Sequence, residues 1–295
     1  MDAIVVEARR GDGIVEARHR VHAVAVRDGA VVAEAGDAGL VSFLRSASKP
    51  LQALPLVRAR TDLDDADIAI ACASHRATDA QLAAVRSLLA KAPATEDDLE
   101  LGLQRDRPPT KLHHNCSGKH AGMLATCRAR GWPTAGYRLP DHPLQHEIAV
   151  LHAEAARASL AEIPTATDGC GVVTFALPLE RVAYVFSRVQ ELDGGRRVAT
   201  AMRARPDLVG GPDGPDYDLM RLCPGWLAKG GAEGLLCAAG PDGLGVALKV
   251  EDGAARPQRP ALAQFLRPLG VELPWDRVPV ENSRGERVGD LVVAG

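Results

Sequence analysis

The sequence predicts an α/β fold in which one central sheet is built from both ends of the chain and helices from its middle pack against it. Three observations carry this expectation. The first 45 residues are alternating or β-branched runs broken by hairpin turns. The middle carries helix-period segments with recognisable starts and stops. The last third returns to short apolar runs, LLCAAG, LGVALKV and RVGDLVVA. No strand–helix repeat of the doubly wound kind is legible, and neither GxGxxG nor a phosphate-binding loop occurs.

The elements follow in order. AIVVEA, IVEARHRVHAVAVR and AVVAEA are strands separated by Gly11-Asp12-Gly13 and Asp28-Gly29, and VSFL at 41–44 is a further short strand. A helix begins near Ser46. Pro50 fits its first turn, whereas Pro55 in the interior should kink or shorten it. Thr78 to Lys91 is a helix opened by a Thr78-x-x-Gln81 capping pattern. Residues 104–115 form a Pro-containing loop, and Ser117 to Arg130 form a helix stopped by Gly131. Helices over about 143–158, 178–192 and 195–204 precede a turn-rich VGGPDGPD loop. Pro241-Asp242-Gly243 joins two strands, a helix covers about 260–267, and a strand closes the chain.

With 295 residues, 46% hydrophobic and 25% charged, the composition fits a single catalytic domain over 1–295. A net charge of −3 leaves no basic excess for nucleic acid or anionic lipid. No run of about 18 apolar residues suggests a membrane span, and the acidic N-terminus lacks the pattern of a secretory signal. Six cysteines are sparse for a disulfide scaffold and point to reduced thiols in the cytoplasm.

Only six of the 35 basic residues are lysines: 49, 91, 111, 119, 229 and 249. A chain that uses Arg for surface charge has a reason for each Lys in an apolar or Gly-rich setting, because Lys can lose its proton near neutral pH and Arg cannot. In Ser46-Ala47-Ser48-Lys49, helical spacing puts Ser46 and Lys49 on one face, where the amine can take the hydroxyl proton. The same letters also describe an N-cap Ser and a surface Lys. ACASH at 71–75 brings Ser74-His75 to the end of an apolar run, or simply caps it. HHNCSGKHAGML at 113–124 and TDGCGVVTF at 167–175 hold Cys116, Lys119, Asp168 and Cys170. Two thiolates with nitrogen donors can bind zinc, although this spacing is not a standard ligand pattern, and two buried free cysteines read equally well. Lys249 in LGVALKVEDG either snorkels to a sheet edge or lines a cleft opposite a serine. Lys229, in WLAKGGAEG, receives no task.

Taken together, RSASKP, CASH, HHNCSGKHAGML, TDGCGVVTFALPL, GGAEG and ALKVEDG resemble the bacterial L-asparaginase II family of the Rhizobium etli inducible type, from about residue 3 to the C-terminus. The resemblance implies a fold like that of the serine β-lactamases and penicillin-binding proteins, and hydrolysis of L-asparagine to L-aspartate and ammonia. It implies two Ser–Lys pairs, Ser46 with Lys49 and Ser74 with Lys249, and a zinc ion held by Cys116, Lys119 and Cys170. Asp168 falls beside that site, and Arg45, His75 and Cys116 are further expected substrate contacts. A homodimer is implied by the resemblance alone. Two rival readings are another SxxK amidase, of β-lactamase, peptidase or glutaminase type, and a non-catalytic zinc- or ligand-binding protein. The chain departs from the family pattern at Arg76-Ala77-Thr78-Asp79, where small and acidic residues are expected, and at Val173, where proline is common.

Overall fold

The computed structural model describes residues 1–295. Its strands are β1 (Ile4–Arg10), β2 (Ile14–Arg27), β3 (Ala30–Ala35), β4 (Val41–Phe43), β5 (Thr165–Thr167), β6 (Val173–Pro178), β7 (Leu227–Gly230), β8 (Leu235–Ala239), β9 (Gly245–Val250), β10 (Arg277–Glu281) and β11 (Arg287–Val293). The β2–β3 hairpin is tight because Asp28 and Gly29 take positive φ, 52° and 81°, as a primed two-residue turn requires.

Eight strands form one antiparallel sheet in the order β10-β11-β1-β2-β9-β8-β7, with β3 also paired to β2. The two ends of the chain meet within it as neighbouring strands, where Val6 lies opposite Val293. The expected α/β architecture, a central sheet drawn from both termini with helices against it, is the one observed. A smaller sheet, β4-β6-β5, stands apart.

The helices are α1 (Lys49–Gln52), α2 (Leu54–Ala59), α3 (Asp65–Ala71), α4 (Asp79–Lys91), α5 (Ser117–Arg130), α6 (Pro143–Ala156), α7 (Leu179–Arg188), α8 (Gly195–Ala204), α9 (Pro206–Val209), α10 (Pro215–Leu222) and α11 (Gln258–Leu266). The chain breaks at Ala53 between α1 and α2, and Pro55 stands in the first turn of α2, where its missing N–H costs nothing. A 3₁₀ turn, Arg45–Ser48, precedes α1. The Thr78/Gln81 capping box opens α4, and Gly131 at φ 67° closes α5. Six elements were not legible: α3, α9, α10, β5, β7 and β10. The turn-like GPD before α10 is a helix start, because Pro215 occupies its first turn.

Every residue of β2 from Val21 to Val26 is buried, so the sheet is covered on both faces. Helix α7 packs on β9 and β2, and α11 packs on β11, β1, β2 and β9. At Gly245 the backbone of α7 presses on β9 so closely that a Cβ would lie 2.0 Å from the Ala183 carbonyl oxygen. One cluster of 85 buried apolar residues links sheet and helices.

A second close approach positions the site. Gly118 and Gly122 share one face of α5, and a Cβ at Gly118 would lie 2.2 Å from the Ile70 carbonyl oxygen of α3. This contact brings the N-terminus of α5, with Cys116 before it, against the C-terminal exit of α3, Cys72-Ala73-Ser74.

Candidate active site

Ser74 lies just beyond α3, anchored by its own N–H donating to the Val209 carbonyl at 2.8 Å. Its hydroxyl oxygen accepts from two amines: Lys49 Nζ at 3.0 Å and Lys229 Nζ at 3.0 Å. With both lone pairs engaged, the Ser74 proton is the hydroxyl's free valence. Lys49, buried at the start of α1, also donates to the Ala73 carbonyl and to Cys116 Sγ, the latter at 3.3 Å. Its three N–H donors therefore find three acceptors.

Lys229 arrives from β7. It donates to the Gly230 carbonyl at 2.7 Å, and Asp216 Oδ2 lies 3.8 Å away. Burial lowers its pKa to about 8; Lys49 acts in the same direction, and Asp216 opposes both. Asp216 itself is buried at the start of α10. Its two oxygens accept the backbone N–H groups of Tyr217 at 3.0 Å and Gly230 at 2.9 Å. Gly210 and Gly214 close over it, since a Cβ at either would lie 2.8 Å or 2.6 Å from Oδ1.

Behind Lys49 lies a buried cluster of thiols and an amine. Lys119 Nζ is 2.8 Å from Cys170 Sγ. The neighbouring Cys170 holds the Cys116 thiol well below the usual range against the effect of burial, with Lys49 and Lys119 adding to the shift. The Cys170 thiol is raised by that same partnership and by burial. Burial lowers the Lys119 amine, but Cys170 and Cys116 outweigh it and leave the pKa raised. Asp168 Oδ1 accepts from Arg45 Nε at 2.5 Å, and its other oxygen lies 3.8 Å from Cys170 Sγ. Arg45 takes φ 50°, an uncommon value for a residue with a side chain, immediately before Ser46.

Ser46, Ser74, Asp216 and Lys229 line one cavity of about 320 Å³, with Arg76, Arg107 and Asn115 among its other walls. A second cavity of about 570 Å³ lies beyond Cys170, bounded by Asp97, Glu100, Lys111 and Arg138.

Residues 6–293 match the L-asparaginase II family model. The chain belongs to the L-asparaginase II family. Comparison with curated proteins finds no match. Among solved structures, the chain is similar to Mglu in its native form (12% identity, 86% of this chain and 65% of that chain, TM-score 0.47). It is also similar to a beta-lactamase candidate from Bacteroides dorei DSM 17855 (13%, 84% and 93%, TM-score 0.46) and to a probable glutaminase from Bacillus subtilis complexed with 6-diazo-5-oxo-L-norleucine (12%, 86% and 85%, TM-score 0.38). The chain thus spans 65% of the Mglu chain's length. At such scores these likenesses carry no argument about activity.

In this asparaginase II family member, several sequence-derived site residues converge and others do not. Lys49, Ser74, Cys116, Lys119, Cys170, Asp168 and Arg45 form one continuous neighbourhood. Ser46 opens onto the cavity, but the hydrogen bonds of Lys49 run to Ala73, Ser74 and Cys116 rather than to Ser46.

Lys249 does not reach Ser74. Its amine donates to the Val250 carbonyl at 2.6 Å, and Lys229 stands where Lys249 was expected. The register explains the substitution. Lys229 pairs with Cys237, which pairs with Ala247, so Lys249 shares the face of Lys229 but sits two strands inward, about 10 Å across the sheet.

His75 is sealed away from the cavity. Its Nδ1 accepts the Ala77 N–H at 3.1 Å, so Nε2–H donates to Ser117 Oγ at 2.8 Å. Burial, with Lys49 nearby, lowers its pKa to about 3 and keeps the ring neutral. It fastens Ser74 to α5 rather than touching a ligand in the cavity. Sequence reasoning also missed Asp216, which sits in a segment that reads as a turn.

Proposed function

We propose that the chain hydrolyses the side-chain amide of L-asparagine to L-aspartate and ammonia, acting as one catalytic domain over 1–295. The observation that carries this reading is Ser74 Oγ held 3.0 Å from both the Lys49 and the Lys229 amines, in the wall of a cavity that Ser46 shares. Ser46 Oγ attacks the amide carbon, and its proton enters the Lys49–Ser74–Lys229 string. The free Ser74 proton protonates the departing amide nitrogen, which leaves as ammonia; water then opens the Ser46 ester, giving its proton to the string while the string returns one to the leaving Ser46 Oγ. Ser46 suits the attack because it lines the cavity and its hydroxyl has no hydrogen-bond partner in the protein; catalytic contacts often close only once substrate is bound.

A second assignment has its own support: Ser74 is the hydroxyl already bonded to amines, and it could attack in place of Ser46. Measuring ammonia release and trapping the acyl-enzyme in Ser46→Ala and Ser74→Ala decides between them. The ester forms on Ser46 in the wild type and in slowed Ser74→Ala. Asparagine turnover near the wild-type rate in Ser46→Ala would remove Ser46 as nucleophile. Parallel assays with glutamine and a β-lactam test the rival amidase readings, and ammonia from none of them would favour a non-catalytic ligand-binding protein.

Cys116, Cys170 and Lys119 suit zinc by donor chemistry: two thiols that shift each other's protonation, with an amine 2.8 Å from one of them, all buried. No group of three or more His, Cys, Asp or Glu residues gathers for a metal, so Lys119 is needed as the third ligand. When bound, zinc supplies a fixed positive charge that organises the site and positions the substrate. Arg45 and Asp168 hold the Cys170 loop in place. Metal analysis of purified protein should give one zinc per chain, lost in Cys170→Ala; full activity without zinc would leave the cluster structural.

We further propose the Rhizobium etli inducible type within the family, a homodimer, and a reducing cytoplasmic setting. All six cysteines are unpaired, which suits such a setting, and no helix is long and apolar enough to cross a membrane.

A further inference from the structure

The cavity wall carries three basic side chains, and two are already engaged. Lys229 is spent on Ser74 and the Gly230 carbonyl. Arg107 donates Nη1 to the carbonyls of His75 and His113, each at 3.0 Å. Arg76 differs: its guanidinium makes no hydrogen bond or ion pair, although the chain fixes its root firmly. The Arg76 N–H donates to Gln81 Oε1 at 2.9 Å, inside the box that starts α4. Ala77 takes φ 60°, a strained turn that sets the direction in which residue 76 leaves the backbone. On the other side, a Cβ at Gly211 would lie 3.7 Å from Arg76 Cδ, so the stem runs along Gly211 while the neighbouring Gly210 covers Asp216. A guanidinium with a fixed root and a free head, two residues from Ser74, presents a ready fork to a carboxylate.

We propose that Arg76 is a specificity-determining residue that binds the α-carboxylate of the substrate and confines turnover to amides of free amino acids. This rests on the amidase reading above, and it adds the group by which this chain recognises its substrate class. The interaction is formed equally in the ground and transition states, so it acts on KM rather than kcat.

The test compares wild type, Arg76→Gln and Arg76→Lys on L-asparagine and on 3-aminopropanamide, which is asparagine without its carboxylate, with L-aspartate binding measured by calorimetry. Arg76→Gln should raise KM for asparagine about 10- to 100-fold with kcat little changed. Arg76→Lys should recover part of that loss, L-aspartate should bind correspondingly more weakly to Arg76→Gln, and 3-aminopropanamide turnover should not respond. An unchanged KM for asparagine, or equal losses on both amides, overturns the proposal while leaving the amidase reading intact. If the wild type releases no ammonia, that reading fails. Loss of L-aspartate binding in Arg76→Gln would then still support Arg76 as the carboxylate anchor, and unchanged or absent wild-type binding would overturn it.

Discussion

The Lys229 amine and the Ser74 hydroxyl lie 3.0 Å apart although 155 residues separate them in sequence. Edge strand β7 and the exit of α3 build this contact together, and Lys49 completes it from α1. The Ser74 oxygen can therefore receive a proton from either of two amines in one transfer.

Lys229 and Lys249 make opposite predictions under mutation. Lys229→Met removes an amine from the Ser74 string and should lower kcat about 10²- to 10⁴-fold, the usual contribution of general acid–base catalysis. Lys249→Met should leave ammonia release near wild type, because that amine ends on the Val250 carbonyl. Steady-state rates of the two variants check the assignment, and the reverse ranking would restore Lys249 to the site.

The pH profile should report the same amine. Burial lowers the Lys229 pKa to about 8 from its ordinary 10.5, so activity should rise as pH increases through about 8. Stability follows with a definite sign. Between about pH 8 and 10.5 the unfolded chain binds the proton and the folded chain does not, so unfolding free energy increases with pH across that window. Below about 8 the folded chain carries the full penalty of a buried charge, of order 3 kcal/mol. Chemical denaturation of wild type and Lys229→Met at pH 7 and pH 10 checks this: the variant should lose this part of the slope.

Gly118 is predicted to be indispensable for geometry rather than for chain flexibility. Ala there places a Cβ 2.2 Å from the Ile70 carbonyl oxygen, a backbone atom, so α5 must back away from α3. Overpacking of this kind costs about 1–3 kcal/mol. The same displacement carries Cys116 away from Lys49, so Gly118→Ala should lose activity even at temperatures where circular dichroism shows it folded. Wild-type turnover in a folded Gly118→Ala protein would mean that the α3–α5 contact does not set the site.

Helix α5 could be read almost to the residue because Gly131 stops it, and α4 because Thr78 and Gln81 cap it; both signals are local. The Cys116, Lys119 and Cys170 neighbourhood was legible only through family resemblance, since its ligand spacing alone was undecided. Lys229 was visible as an odd lysine before two glycines, but LAKG is too short to announce a strand, and sequence carries no record of which strand lies at the sheet edge. Lys249 sits in a longer apolar strand and so drew the role, although register places both lysines on one face two strands apart. Asp216 was hidden because GPDGPD reads as turns, while its burial depends on Gly210 and Gly214 folding over it.

Asp216 provides the last prediction, because it opposes burial in setting the Lys229 pKa. In Asp216→Asn that opposition disappears, the Lys229 pKa falls further, and the rise in activity should move to lower pH. Stability pays separately. Both carboxylate oxygens accept backbone N–H groups, from Tyr217 and Gly230. An amide offers only one oxygen, so one of those donors would face an NH₂ group instead. A buried donor left without an acceptor costs about 1–3 kcal/mol. Asp216→Asn should therefore unfold at lower denaturant while its pH–rate profile shifts towards acid. A profile that stays in place despite the lost stability would show that Asp216 holds the Gly230 backbone without acting on Lys229.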